Sequence, residues 1–157
     1  MQIDRLSRTL ALAFLASTLA TLPSRSSATD DAIQPGQWRT KEEVVEMVNP
    51  MLPPETIARR KSTPTTVEYC VRSSSIQELV IGKDKAGLCE GAINIAKGHI
   101  SVQRVCSTGL GKGTRKIEGT YSPTRMETTR ESDQQTPQGQ AHSKVRVLSE
   151  RVGDCKQ

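Results

Sequence analysis

Residues 89–106 of this 157-residue chain, CEGAINIAKGHISVQRVC, contain the pattern from which its architecture follows. Apolar and polar residues alternate on both sides of Lys97-Gly98, and a period of two is typical of half-buried β-strands. A two-residue turn is expected at Lys97-Gly98, because glycine at the second position accepts a positive φ. The stretch therefore predicts a β-hairpin with one apolar face. That face carries Ile93, Ile95, Ile100 and Val102, and the other carries Glu90, Asn94, His99, Ser101 and Gln103.

The turn also determines which residues face each other across the hairpin. Pairing Ala96 with His99 beside the turn places Cys89 opposite Cys106. This is a non-hydrogen-bonded site, where the Cα atoms of antiparallel strands are about 4.5 Å apart. That separation lies within the range that a disulfide accepts. A slip of one residue would mix the two faces, so we expect a single register and a Cys89–Cys106 disulfide.

The remaining cysteines, Cys70 and Cys155, are predicted by elimination to form a second disulfide. Aromatic residues make up only 3% of the chain, and a domain with a small core usually needs such cross-links. A four-cysteine zinc site is the alternative, but the sequence contains no C-x-x-C pair, and the same lack argues against a redox-active pair. These four cysteines are the only site residues that the sequence identifies; no catalytic residue, cofactor or metal is predicted.

Residues 1–28 have the three parts of a secretory signal peptide. Arg5 and Arg8 supply positive charge, residues 10–22 form an uncharged apolar run, and a group of small residues ends at Ala28. A membrane anchor is the alternative, but the apolar run is too short to cross about 30 Å of hydrocarbon as a helix. We therefore expect cleavage near Ala28, a periplasmic location and no membrane span in the mature chain.

Residues 29–157 are predicted to form a single β-rich domain. Residues 38–48 could form helical turns, but a strand is favoured because Trp38 needs a buried partner and Pro50 ends the segment. One short helix is expected over residues 73–79, where a serine can cap the first turn, and residues 133–140 are expected to be a loop. The pattern predicts a mainly β fold, an antiparallel sheet of about six strands curled into a sandwich or partial barrel, with one short helix and two disulfides. Besides the hairpin, the expected strands are residues 38–48, 65–71, 114–121, 124–132 and 141–148.

Several short motifs resemble one protein family. They are Pro35-Gly36-Gln37-Trp38, the cysteine-bracketed hairpin, Gly119-Thr120-Tyr121 and the ending Arg151-Val152-Gly153-Asp154-Cys155. In this order they resemble the domain of unknown function 3617, found in exported proteins of Gram-negative bacteria, over about residues 33–155. The resemblance implies an envelope location, a single β-rich domain and paired cysteines, but it brings no activity and no catalytic residues. The family often has proline at the start of its helix, where this chain has serines.

No motif in the mature chain specifies a reaction. Residues 109–114, GLGKGT, look superficially like a phosphate loop, but the spacing is wrong and a strand is expected to follow. His99 and His142 are interpreted as exposed polar residues, and Asp154 as a turn residue. No G-x-S-x-G elbow supports a serine nucleophile.

The net charge of the mature chain favours anionic partners but does not identify one. The signal segment contributes +2 of the formal net charge of +5, so the mature domain keeps +3. Such a charge favours anionic envelope polymers. Lys112, Arg115 and Lys116 form a basic cluster, but nucleic-acid binding would need aromatic stacking platforms that the chain lacks, and no nucleic-acid partner is expected.

The function that follows is a non-enzymatic envelope module that binds a ligand or a protein. An envelope hydrolase with an unrecognised site is one alternative, and a structural or chaperone-like envelope protein is the other. Because no arrangement of catalytic residues is recognisable, the hypothesis that the protein is an enzyme is less favoured. The identity of the ligand or protein partner does not follow from the sequence.

Overall fold

The computed structural model describes residues 32–81, 89–108 and 111–156, with seven strands and two helices among them. The predicted signal peptide and Gly109-Leu110 lie outside the described residues. In chain order the elements are β1 (Gly36–Val48), α1 (Pro54–Ser62), β2 (Thr65–Val71), α2 (Ile76–Ile81), β3 (Cys89–Ala96), β4 (His99–Thr108), β5 (Gly111–Ser122), β6 (Arg125–Thr136) and β7 (Gly139–Gly153).

The strands form one open antiparallel sheet in the order β2-β1-β7-β6-β5-β4-β3. Strands β3 to β7 follow one another as a meander, and β1 returns to pair with β7. The predicted mainly β, antiparallel fold is thus confirmed, with seven strands in a single sheet. Helix α2, rather than a second sheet, covers the apolar part of the sheet.

The predicted hairpin is present with the expected register. Ala96 pairs with His99, and the ladder continues to Cys89 opposite Cys106. Lys97 and Gly98 have φ values of 53° and 79°, as a two-residue hairpin turn with positive φ at both positions requires. The local pattern was sufficient because every pairing in this hairpin is fixed by one short turn.

Both disulfides have the predicted partners. Cys89 is bonded to Cys106 with Cα atoms 4.0 Å apart, and Cys70 is bonded to Cys155 with Cα atoms 5.3 Å apart. The first joins edge strand β3 to β4. The second joins edge strand β2 to the residues that follow β7, so each bridge secures one edge of the sheet.

One local expectation was wrong, and the described residues contain one helix more than the single short helix expected. Residues 133–140 are not a loop: β6 and β7 extend until only Pro137-Gln138 connects them. Both faces are polar at this end, so alternation gave no signal for the backbone ladder. A second helix, α1, also forms, with a proline in its first turn and Glu55 and Arg59–Lys61 placed at the ends that favour their charges.

The shorter helix, α2, is displaced from its predicted position. It begins at Ile76 instead of residue 73, and ends at Ile81. The Ser75 hydroxyl accepts a hydrogen bond from the Glu78 backbone N–H at 3.4 Å, so a serine does cap the first turn as expected.

The two faces of the sheet differ in chemistry. The face that we call inner carries the buried side chains of the strands and is covered by Ile76 and Val80 of α2. The opposite, outer face carries cross-strand ion pairs such as Glu131–Lys144 at 2.7 Å. Burial on one face only is typical of antiparallel sheets. The inner core includes Trp38, Ile100, Val102, Ile117, Tyr121, Met126 and Val147.

Gly119 provides a test of how tightly β5 and β6 pack. A Cβ atom there would lie 2.0 Å from the Glu127 carbonyl oxygen and 2.8 Å from the Thr128 Cα. Because backbone atoms cannot move aside cheaply, Gly119→Ala is expected to lower the free energy of unfolding by about 1–3 kcal/mol. Urea denaturation measures this change. The neighbouring exposed control, Thr120→Ala, should change it by no more than about 0.5 kcal/mol; equal losses would contradict the packing.

The two disulfides are expected to contribute unequally. Their cysteines are 85 residues apart for Cys70–Cys155 and 17 apart for Cys89–Cys106. In the chain-entropy model the double Cys→Ser replacement should cost about 4–5 kcal/mol for the long loop and about 3 kcal/mol for the short one. Denaturation of the two double variants compares them directly. A larger loss from the hairpin pair would show that loop entropy does not govern their contribution.

Candidate functional site

Two adjoining cavities on the inner face form the candidate site, which we call the inner groove. One, of about 320 Å³, lies beside α2, and the other, of about 540 Å³, lies beside α1; Glu42 and Val145 line both. Their sizes are typical of small-molecule sites. The first is also lined by Leu79, Val80, Ile81, Arg115, Ile117, Arg130, Ser132 and Ser143. The second is also lined by Val44, Met47, Arg59, Arg60, Thr63 and Thr65.

The groove floor consists of cross-strand rows that change from apolar to polar. One row runs Ile117, Arg130, Val145 and Val44 across β5, β6, β7 and β1. The next row towards the far end of the sheet runs Arg115, Ser132, Ser143 and Met47. Direct cross-strand neighbours have Cβ atoms about 4.5–5.5 Å apart. Leu79, Val80 and Ile81 of α2 line the first cavity beside these rows, and Arg59 and Arg60 of α1 line the second.

Arg130 is the central charged group of the floor. Its Nη1 lies 3.3 Å from the Glu42 Oε1, and the pair reaches across β7, because β6 and β1 are the two neighbours of that strand. The Arg130 side chain is only 31% exposed. Burial lowers the pKa of Arg130, the Glu42 carboxylate raises it, and the nearby Arg115 lowers it. The guanidinium nevertheless keeps its proton, as arginine does throughout proteins.

Positive charge exceeds negative charge around the groove. Arg115 and Arg130 lie on the floor, Arg59 and Arg60 lie on α1, and Glu42 is the only acidic side chain among the lining residues that the structure describes. Charges of one sign in a low-dielectric cleft attract ions of the opposite sign. The groove is therefore suited to a ligand that carries negative charge.

Other cavities bring fewer charged and polar side chains together. One of about 480 Å³ lies between β2 and α2, where Cys70 and Arg72 contribute to the wall. Another, of about 670 Å³ and mainly apolar, lies at the end of the sheet beside α1. No ion pair joins the described lining residues of either cavity, whereas the inner groove contains the Arg130–Glu42 pair.

The residues that the sequence singled out lie away from this groove. The four cysteines hold the sheet edges, and none of them lines either cavity of the groove. His99 is exposed on the outer face, as expected. The structure shows no cluster of three or more metal-binding side chains among the residues it describes.

The interpretation of His142 as an exposed polar residue was wrong. Its ring is partly buried, and Nδ1 lies 2.8 Å from the Asp133 Oδ1. The extension of β6 and β7 places these two residues opposite each other. Glu46 lies at 3.7 Å from the other ring nitrogen, so His142 belongs to the charge-paired outer face.

The basic cluster that the sequence suggested does not exist as a unit. Lys116 lies on the outer face and binds Glu118 at 2.9 Å, whereas Arg115 lines the inner groove. Consecutive residues of a strand point to opposite faces of the sheet. Arg115 and Lys116 are consecutive, and their charges therefore lie on different faces. Strand β5 begins at Gly111, three residues before the expected start at Thr114, so part of the GLGKGT stretch belongs to the strand itself.

Sequence reasoning missed the pairing of Glu42 with Arg130, which are 88 residues apart. A signal was available at each end. Arg130 continues the inward series of Met126 and Thr128, and Glu42 continues that of Trp38 and Thr40. A charged side chain that points towards the core requires a partner of opposite charge or a ligand. Here Arg130 and Glu42 are partners of each other.

The ion pair is tested by Glu42→Gln, which keeps the size of the side chain and removes its charge. Because Arg130 would then be partly buried without a counter-charge, the free energy of unfolding should fall by about 1 kcal/mol. The control is Glu43→Gln on the outer face, where the exposed pair with Arg146 should contribute about 0.5 kcal/mol or less. Chemical denaturation of both variants measures the difference, and equal midpoints would contradict the role of Glu42.

Comparison with known proteins identifies the family. The family model described as "Protein of unknown function (DUF3617)" matches residues 33–155, which is most of the chain. No curated protein and no solved structure matches significantly. Among the described residues, neither helix is long and apolar enough to cross a membrane. The chain therefore belongs to the DUF3617 family.

Proposed function

We propose that this chain is an exported periplasmic protein that acts as a binding module, and that the inner groove is its ligand site. Export is supported by the charged, apolar and small-residue parts of residues 1–28. The two disulfides support the same location, because disulfides persist in oxidising compartments and are rare in the cytosol.

The observation that carries the binding proposal is the Arg130–Glu42 pair at the floor of an open groove. Partly buried ion pairs are poor stabilisers, since packed apolar side chains of similar volume often contribute as much or more. Because the Arg130 and Glu42 side chains are 31% and 42% exposed, the pair adds little stability, and both charges are accessible to a ligand from the groove. Apolar walls around a few converging polar groups are the usual composition of a ligand site.

A hydrolase of envelope material gains no specific support. His99 and His142 both belong to the outer face, on the side of the sheet opposite the groove. The groove itself offers arginines, serines and one carboxylate. These groups are suited to holding a ligand, and binding is the function that we propose.

A neutral fluorescent probe, N-phenyl-1-naphthylamine, tests the groove without presupposing a charged ligand. The purified protein should enhance the fluorescence of the probe saturably. Ser143→Phe fills the groove floor, and it should weaken binding by about tenfold or more, a loss of about 1.4 kcal/mol. Ser101→Phe is the matched control, because it makes the same change at an exposed outer-face position.

Urea midpoints close to those of the wild type would show that both variants are folded. Equal probe affinity for Ser143→Phe and the wild type would overturn the groove as the site. Absence of any saturable binding, together with no co-purifying small molecule in native mass spectrometry, would overturn the binding function itself.

A further inference from the structure

We propose that the inner groove binds an anionic amphiphile, whose charged group lies between Arg115 and Arg130 and whose apolar part lies along Val145 and Val44. This inference rests on the proposed function and specifies its ligand. The charged group is a phosphate, carboxylate or sulfonate, each of which presents oxygen atoms to a guanidinium in the same forked geometry.

The two arginines are close enough to share one anion. Arg115 lies opposite Ser132, and Arg130 lies opposite Ile117, so the two arginines are diagonal neighbours on β5 and β6. Diagonal neighbours have Cα atoms about 7–8 Å apart, which is within reach of long side chains. Like charges at this distance repel each other, and an anion placed between them would remove that repulsion.

Hydrogen-bonding capacity at the site exceeds what the protein uses. The buried Nε of Arg130 has no acceptor within the part of the chain that the structure describes. Its Nη1 has Glu42 at 3.3 Å, which is a long contact for a charged pair. Ser132 and Ser143 face each other beside these groups and line the same cavity. An anion with several oxygens would accept from these donors together.

An apolar path leads away from the arginines. Val145 lines both cavities and pairs with Val44, which lies on the side towards α1. Leu79, Val80 and Ile81 of α2 form the opposite wall of the first cavity. A free inorganic anion would leave these surfaces exposed to water, whereas an alkyl or aryl group would bury them. Charge and apolar surface together indicate an amphiphile.

Glu42 acts as the internal counter-ion in the absence of ligand. The incoming anion must compete with its carboxylate for Arg130, so Glu42 weakens ligand binding while it stabilises the free protein. This role makes an unusual prediction, because removing a charged residue from the site should strengthen binding. A neutral ligand would not respond in this way.

The test compares two probes that share a skeleton and differ by one charge. 1-Anilinonaphthalene-8-sulfonate is N-phenyl-1-naphthylamine with a sulfonate added. The wild-type protein is expected to bind the sulfonate about tenfold more tightly than the neutral probe, which corresponds to about 1.4 kcal/mol. Arg130→Gln and Arg115→Gln should abolish the difference, and Glu42→Gln should strengthen sulfonate binding several-fold while leaving the neutral probe unchanged.

Matched controls come from the outer face. Arg146→Gln and Glu43→Gln remove a similar exposed pair and should leave both affinities as in the wild type. Because Arg130 is partly buried and its replacement can impair folding, Arg115→Gln and Glu42→Gln keep the test decisive; Arg115 is exposed. If the wild type and these two variants all bind the two probes with equal affinity, the proposal of an anionic ligand is overturned. The groove as a binding site would still be supported by the binding of the neutral probe.

Competition distinguishes an amphiphile from a free anion. Dodecyl phosphate below its micelle concentration is expected to displace the bound sulfonate probe at concentrations at least about tenfold lower than inorganic phosphate. Equal displacement by inorganic phosphate would overturn the amphiphile and leave a simple anion site. If Ser143→Phe binds both probes as tightly as the wild type, the groove is not the binding site. The failures of the two proposals can therefore be told apart.

Discussion

The period of two along antiparallel strands, combined with burial on one face, is the constraint on which the rest of the structure depends. Trp38, Ile117 and Met126 must point inwards to form the core, and every second residue of their strands points inwards with them. Arg130 and Glu42 occupy such positions. Neither can reach the outer face without turning a strand of the core outwards, so their partial burial is imposed by the register.

This constraint divides the inner face into two regions. Around Trp38 and Met126 the side chains are buried, including the hydroxyl groups of Thr40 and Ser149, and Ile76 and Val80 of α2 pack on this region. Towards the polar row of Arg115, Ser132 and Ser143 the apolar cover ends, and the groove opens between α1 and α2. The described residues form a single sheet, and the disulfides at its two edges supply stability that a small core cannot. The cross-linked sheet thus holds the charged groups of the groove in place and leaves them open to a ligand.

What could be predicted from the sequence depended on how local the determining contacts are. The hairpin register and the Cys89–Cys106 bridge follow from one turn and one alternating pattern, and the second bridge then followed by elimination. The end of the β6–β7 ladder over residues 133–140 was missed because both of its faces are polar near the turn. The groove could not be predicted, because Glu42 meets Arg130 only when β1 returns to pair with β7. That pairing is non-local, and no short motif records it.

The account is tested most directly by a crystal structure of the protein grown with dodecyl phosphate. It predicts phosphate oxygens about 3 Å from the guanidinium nitrogens of both Arg115 and Arg130, with the Glu42 carboxylate moved away from Arg130 and the alkyl chain beside Val145. A phosphate bound elsewhere, with the Glu42–Arg130 contact intact and the groove filled only by water, would contradict it.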